Sequence, residues 1–139
     1  MVESYRDLVA WQKAMTLVEG VYAATSKFPG DERFGLVSQL RRAAVSIPSA
    51  LAEGHQRAST REFSHYLSIA RGSLGEVETQ LLIAQRLGYL GSTDMKPLLA
   101  LCEEQGRVLR GLRKSLDNKL AIAPRARALV PRPSPLGSK

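Results

Sequence analysis

Residues 63–87, FSHYLSIARGSLGEVETQLLIAQRL, decide the fold. Phe63, Leu67, Ala70, Leu74, Val77, Leu81 and Ala84 recur at alternating spacings of three and four, which puts them on one face of a single α-helix. Ser59 or Thr60 supplies the cap at its start, and Glu62 suits the positive end of the helix dipole. The run closes at Leu87-Gly88-Tyr89-Leu90-Gly91. At ~1.5 Å per residue this helix extends roughly 40 Å, and we expect it to be the longest in the chain. A stripe of that length needs other helices to cover it.

Those helices lie on both sides. Downstream, Ser92-Thr93-Asp94 are capping residues and Pro97 falls in a first turn, where its missing donor costs little. The stripe that follows is Met95, Leu98, Cys102, Gln105, Leu109, Leu112 and Leu116. Upstream, Val37, Leu40, Ala44, Ile47 and Leu51 mark a helix over about 33–54, ended by Gly54 in a position suited to a left-handed cap. Pro48 lies within it and deletes one backbone donor, so a kink is expected, with Ser46 or Ser49 available to the freed groups. The first helix covers about 5–27, with Leu8, Trp11, Met15, Val18 and Tyr22 as its stripe, and Phe28-Pro29-Gly30-Asp31 stops it. Short connections make neighbours antiparallel, so the fold class is all-α, an up-down-up-down four-helix bundle over 1–118. From 119 to 139 the pattern dissolves into Pro/Arg-rich sequence, expected to be a flexible, disordered basic tail.

The chain has 139 residues, enough for one domain with its own core. Twenty Lys and Arg against 13 Asp and Glu give a net charge of +7, which directs attention to polyanionic partners. Residues 1–118 carry 15 basic and 13 acidic side chains, so +2 belongs to the bundle and +5 to the tail. The single cysteine, Cys102, excludes an internal disulfide and fits a reducing compartment. No apolar run is long enough for a bilayer and no secretory pattern opens the chain, so we expect a cytoplasmic protein without membrane contact.

Residues 40–49, LRRAAVSIPS, lead to Ala52-Glu53-Gly54, and are followed by Phe63 through Ala70, by residues 72–79, GSLGEVET, and by Leu87-Gly88-Tyr89-Leu90. Together these resemble the four-helix-bundle family of 23S rRNA intervening-sequence proteins (S23 ribosomal protein-like), related to the Avd accessory proteins of diversity-generating retroelements. The resemblance covers roughly residues 5–118. It implies a bacterial bundle that assembles as a homopentamer, has no catalytic activity of its own, and is associated with structured RNA or a reverse transcriptase.

The candidate residues divide into structural and binding groups. In an antiparallel register about a turn near 57–58, Arg41 comes level with Leu74 to Glu76, so an Arg41–Glu76 ion pair is expected, and Glu53 falls near Arg61. Arg42 begins a polar stripe with Ser46, Ser49 and Glu53 that is either solvated surface or a subunit contact. Ser68, Gly72, Gly75 and Thr79 line one side of the third helix, where small residues permit close packing inside the bundle or between subunits. Arg107, Arg110, Arg113 and Lys114, continued by Lys119, Arg125, Arg127 and Arg132, form the densest basic surface. Such an array neutralises phosphates without reading bases, or else is a solvated face. Glu62-x-x-His65 imitates half of a di-iron motif, but His65 projects away from the stripe and His55 belongs to no second motif. Neither a metal nor another cofactor is expected. No Ser-His-Asp spacing, carboxylate pair or nucleotide loop is present, so we expect a non-enzymatic protein. The partners expected are copies of itself and RNA or DNA, with a reverse transcriptase beside them. The alternative is a protein-interaction scaffold that binds no nucleic acid.

Overall fold

A computed structural model describes residues 3–127, with side chains through residue 122. Four helices follow in order: α1 (Val9–Thr25), α2 (Leu36–Gln56), α3 (Thr60–Arg86) and α4 (Ser92–Arg127), with 3₁₀ turns at Tyr5–Asp7 and Gly30–Glu32. Ser4 opens the first turn with a capping box, its Oγ accepting from the Arg6 N–H while its own N–H donates to Asp7. Glu32 joins both connections at one end of the bundle. Its carboxylate accepts the Leu36 N–H at 3.0 Å, satisfying an orphan donor of α2, and the Tyr89 hydroxyl at 2.9 Å. These two bonds hold the Glu32 carboxyl below its ordinary range, the backbone donor contributing most.

Ser59 caps α3 through its Oγ, which accepts the Glu62 N–H. At the other end Gly88 adopts φ 82°, the left-handed geometry that glycine tolerates, and is the only described residue with a positive φ. The Gly88 N–H then donates to Gln85 and the Tyr89 N–H to Ala84, a Schellman ending. Gly54 does not act in this way. It lies inside α2, where an added Cβ would come within 2.7 Å of Tyr66 Cβ and 3.0 Å of Phe63 Cδ1. Its function is to let α2 and α3 approach closely.

Pro48 sits within a continuous α2 and is buried. Ser46 does not turn back to the helix; its Oγ lies 2.8 Å from Ser73 Oγ on α3. The longest helix is α4, with 36 residues against 27 for α3. It runs past Asn118, where the end of the bundle was expected, to Arg127. Lys119-Leu120-Ala121-Ile122-Ala123 are compatible with helix, and Pro124 this close to its end forfeits only one backbone bond. Residues 128–139 of the expected tail lie outside the described residues.

Each helix packs against its two sequence or ring neighbours, α2 with α3, α1 with α2, α3 with α4 and α1 with α4, while the diagonal pairs stay apart. That is a square, up-down-up-down bundle. Its core contains Leu40, Ala44, Ile47 and Leu51 from α2, the α3 stripe from Leu67 to Ala84, and Met95, Leu98, Cys102, Gln105, Leu109 and Leu116 from α4. The α1 stripe is turned by one residue from the expected one. Ala10, Ala14, Leu17, Val21 and Thr25 face the core, Trp11 and Val18 are partly buried, and Met15 and Tyr22 are exposed. Small side chains bring α1 close to the bundle, which leaves its larger ones at the flank. Gln105 is fully buried and donates to the Ala10 carbonyl at 3.0 Å, while its Oε1 has no partner.

Candidate nucleic-acid interface

From its middle onward α4 carries Arg107, Arg110, Arg113, Lys114 and Lys119, all exposed. Helical spacing puts Arg107, Arg110 and Lys114 on one side. Between residues 106 and 122 the one acidic residue is Asp117, whose Oδ2 lies 3.7 Å from Arg113 Nε. Both side chains are more than half exposed, at 53% and 57%, so solvent screens this pair and leaves most of the positive field intact. The first half of α4 is different. Asp94, Glu103 and Glu104 outnumber Lys96 there, and Glu104 is tied to Lys13 of α1 at 2.8 Å. That hydrogen bond and the Lys13 charge hold the Glu104 carboxyl below its ordinary range. Charge is thus segregated along α4, with cations towards the negative end of the helix dipole.

One cation not singled out from sequence joins this surface. Arg71 of α3 and Arg110 line a groove of about 210 Å³ between α3 and α4, together with Gly75, Glu78 and Gly106. Counting back from the turn at Gly88 to Gly91 puts Arg71 level with Val108, within a turn of Arg110, so the antiparallel register contained the signal. Arg110 folds over Gly106, where an added Cβ would lie 3.3 Å from its Nη1. Glu78 opposes these cations inside the groove, which leaves the outer face of α4 as the surface for phosphates. Arg125 and Arg127 lie on the last described turn of α4, but their side chains, like Arg132 as a whole, fall outside the described residues.

The structural candidates find other partners. Arg41 does not reach Glu76; its Nε donates to Thr25 Oγ1 at 2.9 Å and its guanidinium lies 4.4 Å from the Tyr22 ring centroid. The contacts of Ser46 with Ser73 and Glu53 with Tyr66 set a register that brings Arg41 level with Glu78, and the side chain turns to α1 instead. Glu53 likewise pairs with Arg57 at 2.8 Å rather than with Arg61, because the residue four positions on, just past the end of α2, is nearer. Tyr66 completes that cluster by accepting from Arg57 and donating to Glu53. Arg42 and Glu76 are exposed.

Gly72 and Gly75 have nothing within 4 Å of an added Cβ, so close packing within the protomer does not explain them. A shallow groove of about 480 Å³ passes over both, edged by Gln39, Glu76, Thr79 and Ile83. Gln80 also lines it, and its Oε1 is buried without a partner. Ile69, Leu82 and Ile83 of α3 and Leu87 just after it are exposed, as are Val9, Met15 and Tyr22 of α1. His65 is exposed and meets Tyr66 edge-on. Cys102 is buried, and desolvation pushes its thiol up to about 12. Among the described residues no helix is long and apolar enough to cross a membrane.

The family model described as 23S rRNA-intervening sequence protein matches residues 6–111. Among solved structures, the chain is similar to a protein of unknown function from the S23 ribosomal protein family of Bacteroides thetaiotaomicron VPI-5482. The two are 21% identical and superpose with a TM-score of 0.69 over 76% of this chain and 99% of that one, a likeness of fold. No curated protein matches the chain.

Proposed function

The chain belongs to the 23S rRNA-intervening sequence protein family, and from that premise we propose that it is a non-enzymatic, self-assembling accessory protein that binds structured RNA through phosphate contacts. The observation that carries this reading is the segregation of charge on α4, where five exposed cations face one screened carboxylate. Such a surface binds by releasing counterions and reads no bases. A bacterial, cytoplasmic setting and service to a reverse transcriptase accord with that chemistry.

Self-assembly is supported by the placement of exposed apolar side chains on α1 and α3, which stand at diagonal corners of the square. A twofold contact between like patches covers only one of them. A single repeated contact covers both when unlike patches meet, and contacts of that kind form rings where the rotation closes, of which a pentamer is one. The space over Gly72 and Gly75 and the unpaired Gln80 oxygen suit the α3 patch to receive a neighbour. The same apolar patches favour the second reading, a scaffold for a protein partner without nucleic acid.

An electrophoretic shift with a structured RNA separates the two. We expect the wild-type protein to retard the RNA and the combined Arg107→Glu, Arg110→Glu and Lys114→Glu protein to lose that activity while keeping its helical spectrum. Equal retardation by both proteins contradicts the proposed surface, and no retardation by either favours the scaffold.

A further inference from the structure

At the end of the bundle where α2 turns into α3, Leu8 at the head of α1 and the later part of α4 border a half-open cavity of about 500 Å³. Its volume falls within the roughly 300–1,000 Å³ of small-molecule sites. Leu8, Phe63 and Leu116 give it an apolar floor, and His55 meets Phe63 edge-on with ring centroids 5.9 Å apart. The rim is cationic and hydroxylic. Arg57 is held in place there by Glu53 and Tyr66, Ser115 is exposed, and Lys119 makes no ion pair among the described residues.

This combination differs from the outer face of α4, which offers charge without a recess. An aromatic and aliphatic floor matches the face of a base, and a cation at the rim matches the phosphate attached to it. The two surfaces adjoin without sharing a face: at 100° per residue, Ser115 and Lys119 stand roughly 80–140° round α4 from Arg107 and Lys114. Leu112, Ser115, Leu116 and Lys119 of α4 line the cavity, while Arg113 and Lys114 project from the same turns. A strand neutralised along the basic stripe reaches the cavity mouth by turning round α4 past Ser115, and there an unpaired nucleotide has somewhere to go and a paired one does not.

We propose that this cavity accepts an unpaired nucleotide, its base against Phe63 and His55 and its phosphate at Lys119, so that the protein prefers RNA in which a single-stranded segment adjoins a helix. The proposal rests on the phosphate-binding reading of α4, and the test keeps the two apart. Binding is measured by fluorescence anisotropy for an RNA hairpin carrying an unpaired tail and for the same hairpin with a blunt end. We expect the wild-type protein to favour the tailed hairpin by about tenfold, the order of magnitude that one stacked base contributes. Ser115→Trp, which fills the mouth from an exposed position, is expected to abolish that preference and leave the blunt hairpin bound as before. Lys119→Glu, also exposed, is expected to reduce it. Equal affinity of the wild-type protein for both hairpins, or a preference that survives Ser115→Trp, overturns the cavity alone. Absence of binding to either hairpin overturns the α4 surface and the cavity together.

Discussion

Arg41 shows what a single residue's sequence context conveys and what it omits. Its place at the edge of the α2 stripe was readable from 100° steps, and its side chain does sit at the edge of the bundle. The partner was not readable, because two helices flank α2 and periodicity does not say to which one an edge residue turns. Thr25 and the Tyr22 face on α1 win over a carboxylate on α3. Cys102 is the converse case, a position in an apolar stripe that fixes both burial and chemistry. With its thiol pushed up to about 12 and no exposed surface, it is expected to resist alkylation at pH 8 in the native protein and to react promptly once denaturant is added. Mass spectrometry after timed iodoacetamide treatment measures this, and rapid native labelling contradicts the buried position.

At the scale of elements, three of the four stripes were legible, because Leu, Ile and Val on α2, α3 and α4 recur without a competing set of large residues. On α1 the large residues Trp11, Met15 and Tyr22 outweigh the alanines in any hydrophobic pattern, yet Ala10 and Ala14 are what the bundle buries. Glycines were ambiguous for a related reason, since sequence does not show what stands opposite. Gly54→Ala forces Tyr66 and Phe63 apart and is expected to cost about 1–3 kcal/mol. Gly72→Ala meets open space within a helix and is expected to stabilise the protomer by up to ~1 kcal/mol. Chemical denaturation at low protein concentration checks the two opposite signs; a loss of stability in both would mean that Gly72 has a neighbour within its own chain.

On the scale of the whole molecule, the bundle and its topology followed from stripes and short connections, whereas the exposed flanks did not. Periodicity assigns a residue to a face but does not say that a second apolar face remains uncovered. The two uncovered faces on α1 and α3 predict an assembly in which each protomer has two neighbours, so multi-angle light scattering is expected to give a multiple of the 15.2 kDa chain. A 15.2 kDa species at micromolar concentration contradicts it. The central claim, that the late part of α4 neutralises phosphates, is tested most directly by the dependence of RNA affinity on salt. The logarithm of the binding constant is expected to fall linearly with the logarithm of salt concentration. The slope should become shallower by about two to three when Arg107, Arg110 and Lys114 are all replaced by glutamine. An unchanged slope in that variant would place the phosphate contacts elsewhere on the molecule.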